Sequence, residues 1–340
     1  MLVKSLLDEQ TRKRELGAFY TEGNPFALAS FQSWLAGAEP TGCVLEPFAG
    51  SASIPRLLHQ AGCEKNWKMY DISPNHEEVE QRDSLKNFPT GFKCVISNPP
   101  YLSYHFAKRK GLSVSRADFR SYSSLYLVAI EECLRASPFV GLIVPESFIT
   151  SGHHRDRLAR VISLSELAMF TDTTMPTCLA LWSPSATTSE YWVGDRYVGE
   201  LKALESDCQW NSESASRIRF NVVDGNIGIW AIDDTRGPSI RFCEPDEIPA
   251  EKIKVSARLV SRILVRGLAH SDVPRVIETA NEILTEWRVK TADVLLTAFK
   301  GPRADGRFRR RIDYKNARAI LGQAVDLIEV GAPKQTRLEI

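Results

Sequence analysis

Closely spaced cysteines are missing from this 340-residue chain: its seven are scattered, with no pair at the short spacing that zinc ligands or small disulfide scaffolds use. Cys43 and Cys94 lie inside apolar, strand-like runs, which reads as reduced, buried thiols of a cytoplasmic protein. Long hydrophobic runs are missing too, so no membrane span is expected, and Met1 to Gln10 meets charged residues too early for a signal peptide. Nor is there an excess of one charge, the net being +1 at pH 7, which removes whole-molecule electrostatics as a clue to partners. The 43% hydrophobic and 25% charged fractions are those of an ordinary globular protein, and the length allows two domains.

The charge that is present is unevenly placed. Residues 251–340 hold 18 Lys and Arg against 11 Asp and Glu, an excess of 7 that leaves about −6 on the first 250 residues. The densest stretch is Lys300 to Arg311, where Arg303, Arg307, Arg309, Arg310 and Arg311 alternate with Gly301, Gly306 and Phe308. A loop of that composition suits a phosphate backbone, or else is simply a solvated basic loop.

Short apolar runs at Cys43 to Leu45, Trp67 to Ile72, Phe92 to Ile96 and Val140 to Val144 predict strands. Helices are expected at Ser51 to Ala61 and at Ser123 to Ala136, the second capped by Ser123 or Ser124. Strands alternating with helices predict a parallel sheet covered on both faces, with ligands at the carboxyl ends of its strands. Beyond about residue 190, Ile218 to Phe242 reads as strands, and Val255 to Leu268 and Val273 to Trp287 as helices. Trp192, Trp210, Trp230 and Trp287 read as core residues, and His153 and His154 as loop residues, since no acid or cysteine stands at metal spacing around them.

Three features fall at strand ends. Asn98, Pro99, Pro100 and Tyr101 follow the third strand. An amine on an aromatic ring gives its lone pair to the ring, so alkylating it requires two acceptors that draw its hydrogens out of plane. The Asn98 side-chain oxygen and the Pro99 carbonyl are candidates for those acceptors, because proline fixes φ and has no N–H to compete, and Tyr101 offers a face to stack on a base. A turn ending a strand is the plainer reading of the same residues. Glu46 opens the segment Glu46-Pro47-Phe48-Ala49-Gly50-Ser51-Ala52, whose small residues allow close backbone approach by a ligand at a helix N-terminus. Asp71, followed by Ile72, ends the second strand, where an acid commonly grips ribose hydroxyls, or where an Asp caps a turn.

Taken in order, these motifs resemble those of the adenine-N6 DNA methyltransferases of restriction-modification type, in the arrangement with cofactor motifs first and the target-recognition region last. Gly17-Ala18-Phe19-Tyr20-Thr21 is similar to that family's amino-terminal cofactor motif, and Glu46 to Ala52 to its glycine loop. Asp71 matches the ribose-binding acid, Asp83 in Arg82-Asp83-Ser84-Leu85 the acceptor of the cofactor's adenine amine, and Asn98 to Tyr101 the catalytic motif. Three positions depart: Glu22 stands where the family usually has Pro, Ala52 replaces the second loop glycine, and Met175 with Pro176 falls where relatives often carry a base-sandwiching aromatic.

The resemblance, carried by about residues 14 to 182, implies an α/β fold: a Rossmann-like, S-adenosylmethionine-dependent methyltransferase sheet over 1–188, then a mixed α+β target-recognition domain over 189–340. The implied cofactor residues are Phe19, Tyr20, Thr21, Glu46, Pro47, Ala49, Gly50, Asp71, Ile72, Asp83 and Ser84. The implied DNA contacts are Lys108, Arg109, Lys110, Met175 and Arg303, Arg307, Arg309, Arg310 and Arg311. No metal is expected. The partners implied are double-stranded DNA and a separately encoded restriction endonuclease, with the adenine flipped out of the duplex before transfer. RNA adenine methylation, protein-glutamine methylation and a non-catalytic DNA-binding subunit stay open. The last is disfavoured by the intact Asn98 and Tyr101, and the second because such enzymes usually carry their extra domain ahead of the catalytic one. Pro245-Asp246 with Glu251-Lys252 has the wrong spacing for a nuclease motif.

Overall fold

A computed structural model describes residues 24–38, 42–165, 176–206, 212–254 and 257–331. The chain divides into two compact units, Met1–Leu201 and Lys202–Ile340.

The first unit is built on a nine-stranded sheet. In chain order its strands are β1 (Cys43–Glu46), β2 (Asn66–Asp71), β3 (Glu80–Gln81), β4 (Cys94–Ser97), β5 (Phe139–Pro145), β6 (Leu158–Ser163), β7 (Thr177–Trp182), β8 (Glu190–Val193) and β9 (Arg196–Glu200), arranged β3-β2-β1-β4-β5-β7-β6-β8-β9. The first five run parallel and β7 is antiparallel to both its neighbours. Order reverses between β1 and β4, which opens a crevice at their carboxyl ends. This is a Rossmann-like sheet, parallel through its first five strands as the alternation of strands and helices predicts.

Central strands are apolar on both sides because both faces are covered: every residue of β4 and β7 is buried, as is all of β5 after Phe139. On one face, helix α1 (Ala29–Ala38) sets Phe31, Trp34 and Leu35 among Val44, Ile96, Ile143 and Leu181. Trp34 lies so close to β5 that a Cβ on Gly141 would stand 3.2 Å from its ring. Glycine is what lets the indole reach Ser183 Oγ, 2.9 Å away. Helix α2 (Ser53–Gln60) follows β1, and α3 (Tyr104–Arg109) and α4 (Leu125–Ala136) separate β4 from β5. Ser124 precedes α4, but its hydroxyl donates to Leu102 O at 3.1 Å instead of capping the helix. The unit extends past the expected boundary at 188 because β8 and β9 continue the sheet to Glu200.

The second unit has a four-stranded antiparallel sheet of β10 (Ile218–Phe220), β11 (Ile227–Trp230), β12 (Arg241–Cys243) and β13 (Val260–Val265), ordered β10-β13-β11-β12. Helices α5 (Val273–Thr291) and α6 (Tyr314–Gly331) cover it. On α5 the buried residues Val276, Ala280, Leu284 and Trp287 recur every three or four positions and so share one stripe. Between the helices, β14 (Thr297–Pro302) and β15 (Phe308–Arg311) form a hairpin.

Two expectations are corrected here. The helix expected from Val255 to Leu268 is replaced by β13, where Ser261, Ile263 and Val265 are buried and the residues between them are not. That period of two, on β-branched residues paired to β10 and β11, outweighs the looser helical spacing. The basic stretch from Lys300 to Arg311 is not a loop but most of the β14–β15 hairpin, whose turn carries Gly306 at φ +78°.

Candidate active site

Glu46 and Asn98 end neighbouring strands. Leu45 pairs with Val95 in the β1–β4 register, so Glu46 is level with Ile96 and Asn98 lies two residues beyond, at the crevice where strand order reverses. After Glu46 the chain turns through left-handed backbone at Gly50 (φ +51°) and Ala52 (φ +55°), the latter at a mild cost because alanine's Cβ is small. The turn is stitched to the end of β2: Ala49 N–H donates to Tyr70 O at 2.9 Å and Gly50 N–H to Asp71 Oδ2 at 2.9 Å. Ser73 N–H takes the other oxygen of Asp71 at 2.8 Å. Each carboxylate oxygen has a second lone pair, so Asp71 keeps capacity for hydroxyl donors. Ile72, beside it, is 57% exposed, an apolar surface at a polar edge.

Glu46 is buried, and its Oε2 meets no hydrogen-bond donor. Burial, helped by the nearby charge of Asp71, pushes its carboxyl well above the usual carboxylate range. Such an acid, held at a strand end without a donor, is suited to a cationic or N–H-bearing ligand. Ser84 is also buried, with an unpartnered Oγ, one residue after Asp83, whose carboxylate accepts from Lys86. These orphaned atoms fit a polar cofactor that brings an ammonium group, ribose hydroxyls and an aromatic amine.

At the end of β4, Tyr101 Oη donates to Asn98 Oδ1 at 2.6 Å and lies 3.0 Å from Ile143 O. Pro99 is buried, while Asn98 and Pro100 are partly exposed. Burial drives the Tyr101 hydroxyl well above its ordinary pKa, so it stays a donor. This corrects one expectation: the Tyr101 ring is 7% exposed and set edge-on to Tyr126 at 6.4 Å, so it orients Asn98 instead of offering a free face for stacking.

Several residues at this edge escaped the sequence reading. Ser97 Oγ and Thr177 Oγ1 are buried without partners, and Glu146, just past β5, is buried with Oε1 accepting from Ser163 Oγ at 2.6 Å. Glu146 follows the apolar run Val140 to Val144, the same signal that singles out Glu46 and Asp71. Thr177 becomes a neighbour only through its pairing with Pro145.

Lys108, Arg109 and Lys110 are exposed at the end of α3, a few residues past the Asn98 turn. Phe19, Tyr20, Thr21 and Met175 lie outside the described residues. His154 Nε2 is 3.0 Å from Leu127 O and burial lowers its pKa. Among the described residues no three His, Cys, Asp or Glu side chains are grouped to hold a metal ion, and no helix is long and apolar enough to cross a membrane. A cavity of about 520 Å³ beside Pro55, His59, Cys63 and Trp67 opens at the opposite, amino edge of β2, away from these residues.

The arginines of the second unit divide into two groups. Arg303 and Arg310 are buried, which overturns their expected place among the DNA contacts. Arg303 Nη1 lies 3.0 Å from Asp233 Oδ2, and Arg310 N–H donates to the same oxygen at 3.1 Å. Arg307 is exposed, and Arg309 and Arg311 are half-buried.

Residues 30–173 match the family model of the Eco57I restriction-modification methylase. No curated protein sequence matches the chain. Among solved structures, the methyltransferase subunit of a type I restriction-modification system from Streptococcus thermophilus is 15% identical, covering 51% of this chain and 47% of its own length, with a TM-score of 0.37. A class I S-adenosylmethionine-dependent methyltransferase from Listeria monocytogenes, itself assigned only by likeness, is 15% identical, covering 49% and 64%, at 0.33. A chain from a type I restriction-modification assembly is 17% identical, covering 86% and 70%, at 0.36. The chain thus spans about half of the first of these and under two thirds of the second, and such distant likenesses add nothing to the strand order. Residues 30–173 thus carry a domain similar to the restriction-modification methylases, whose methyl donor is S-adenosylmethionine.

Proposed function

We propose that the chain methylates the N6 amine of adenine in double-stranded DNA, as the modification enzyme of a system whose restriction endonuclease is a separate chain. The observation that carries this reading is the hydrogen bond from Tyr101 Oη to Asn98 Oδ1, 2.6 Å long, at the reversal point of the sheet. It fixes the way the amide is turned, so that its oxygen would meet a substrate N–H in a set orientation.

When bound, S-adenosylmethionine supplies an electrophilic methyl group on a sulfonium. Glu46, Asp71 and Ile72 would hold its ammonium, ribose and adenine, with Asp83 and Ser84 at the adenine's edge. Asn98 Oδ1 and the Pro99 carbonyl would accept the two hydrogens of the target amine and turn its lone pair out of the ring. With its lone pair so turned, the amine nitrogen would be set to take the methyl group that the cofactor supplies. The surplus proton passes from nitrogen to solvent. No covalent enzyme intermediate is needed, so the rate gain comes from positioning and fixed dipoles. A stacked adenine cannot reach the crevice and must be flipped out, at a cost of a few kcal/mol. Lys108, Arg109 and Lys110 would contact phosphates beside the flipped base, and the second unit would recognise the duplex.

The test is to incubate the protein with methyl-labelled S-adenosylmethionine and, separately, duplex DNA, RNA or a release factor, and to identify the labelled atom. Label on N6 of duplex adenine is expected, and is lost in Asn98→Ala while cofactor binding persists. Label on RNA or on a glutamine amide would replace the DNA assignment, and wild-type labelling by Asn98→Ala would remove the site assignment.

A further inference from the structure

Asp233 is fully buried, yet its carboxylate accepts from three separate parts of the second unit. Oδ1 takes Ser239 N–H at 2.8 Å and Ile240 N–H at 3.2 Å, fixing the loop before β12. Arg288, near the end of α5, meets both carboxylate oxygens at 2.9 Å. The two strands of the hairpin arrive through Arg303 Nη1 and Arg310 N–H, and Arg309 Nε donates to the Asp233 carbonyl at 2.7 Å. Hairpin, loop and helix are thereby fastened at one point, and two of the hairpin's cations are consumed inside.

Arg307 is exposed, while Arg309 and Arg311 are half-buried, Arg309 through its bond to the Asp233 carbonyl and Arg311 with its Nε enclosed. Ala298 pairs with Arg310 and Thr297 with Arg311, so side chains alternate across the ribbon. Buried Arg310 marks the inner face, and Arg309 and Arg311 lie on the outer one. The Arg309 guanidinium sits 5.3 Å over the Phe299 ring, an aromatic and cation pair on that outer face. Arg307 is exposed at the turn. Asp305, the one acid between Thr297 and Arg311, bonds to Arg303.

We infer that the outer face and turn of this hairpin form a preset ribbon that enters a groove of duplex DNA, with Arg307 and Arg309 on phosphates and base edges. The inference rests on the DNA reading above and narrows it to one element. A two-stranded β-ribbon fits the major groove, and arginine forks match both phosphate oxygens and guanine edges. Because the Asp233 cluster holds the strands beforehand, little ordering entropy remains to be lost on docking.

The test is a salt titration of binding to a fluorescent, mixed-sequence DNA duplex, with methyl labelling of the same duplex in parallel. Arg307→Ala, an exposed position, should fold as the wild type and make the slope of log K against log salt shallower by about 0.9. Arg307→Ala with Arg309→Ala should make it shallower by about 1.8. Arg219→Ala, exposed on β10, should leave the slope unchanged. If the hairpin variants keep the wild-type slope, or Arg219→Ala alters it equally, the hairpin inference fails even where the wild type labels DNA. If the wild type neither binds nor labels the duplex, the inference and the DNA reading fail together.

Discussion

The hydroxyl of Tyr101 is bonded to the side-chain oxygen of Asn98 at 2.6 Å, so the residue expected to stack on a base instead fixes how the amide is turned. Tyr101→Phe removes the hydroxyl's contacts with Asn98 and with Ile143 O while keeping the ring. Its kcat should fall about tenfold, roughly 1.4 kcal/mol, with the KM for S-adenosylmethionine unchanged. Steady-state kinetics at saturating cofactor checks this. An unchanged kcat would mean that Asn98 is oriented by something else.

Asp71 ties the turn after β1 to the end of β2 through Gly50 N–H. Asp71→Ala should weaken cofactor binding by 10- to 100-fold, about 1.4–2.8 kcal/mol, because the hydroxyl acceptor and the turn's anchor go together. Calorimetric titration with the cofactor measures it, and an unaltered Kd would place the ribose elsewhere.

Burial, with the charge of Asp71, raises the Glu46 carboxyl well above the usual carboxylate range, and the sign of its pH effect follows. Below about pH 4 the carboxyl is neutral folded or unfolded and costs nothing. As the pH rises toward its elevated folded value, the unfolded chain releases the proton more readily, so folding loses stability. Glu46→Gln should therefore melt higher than the wild type at pH 7, by about 2–4 °C for each kcal/mol recovered, and the gap should close on acidification. Thermal melts across pH decide it; a gap that is independent of pH would show that ionisation is not the cause.

Asp233 has the opposite sign. Burial alone would raise its carboxyl, but hydrogen bonds and charge from Arg288, with the Ser239 and Ile240 amides, bring it below the ordinary aspartate range. Its stabilisation is thus present above about pH 4 and lost as the pH falls through the folded value. Asp233→Asn removes the buried one of the two carboxylates that each of Arg288 and Arg303 meets and should cost about 3–5 kcal/mol, with a flatter acid profile than the wild type. Chemical denaturation followed by the fluorescence of Trp287, buried in that core, reads the second unit's loss.

Much of the first unit was legible because its strands are short, apolar and punctuated. The runs at Cys43, Trp67, Phe92 and Val140 become β1, β2, β4 and β5, and the polar residues after them stand where strand ends place them. The second unit was less so. Val255 to Leu268 has apolar residues that fit either period, and the partners β10 and β11 decide in favour of a strand. The arginines from 303 to 311 look alike in sequence, yet Arg303 is drawn inside by an aspartate 70 residues away while Arg307 stays exposed.

The sequence by itself determined which chemical groups stand at each strand end, because a strand's apolar run and the polar residue that stops it are local facts. It thereby determined the α/β class and the set of motifs. Only the tertiary structure decided the order of the strands, which brings Glu46 beside Asn98, and the roles of Tyr101, Arg303 and Arg310, which turn on burial and on partners distant in the chain. Burial is a property of the packed whole: the same guanidinium is a surface cation or the inner half of an ion pair according to what folds over it.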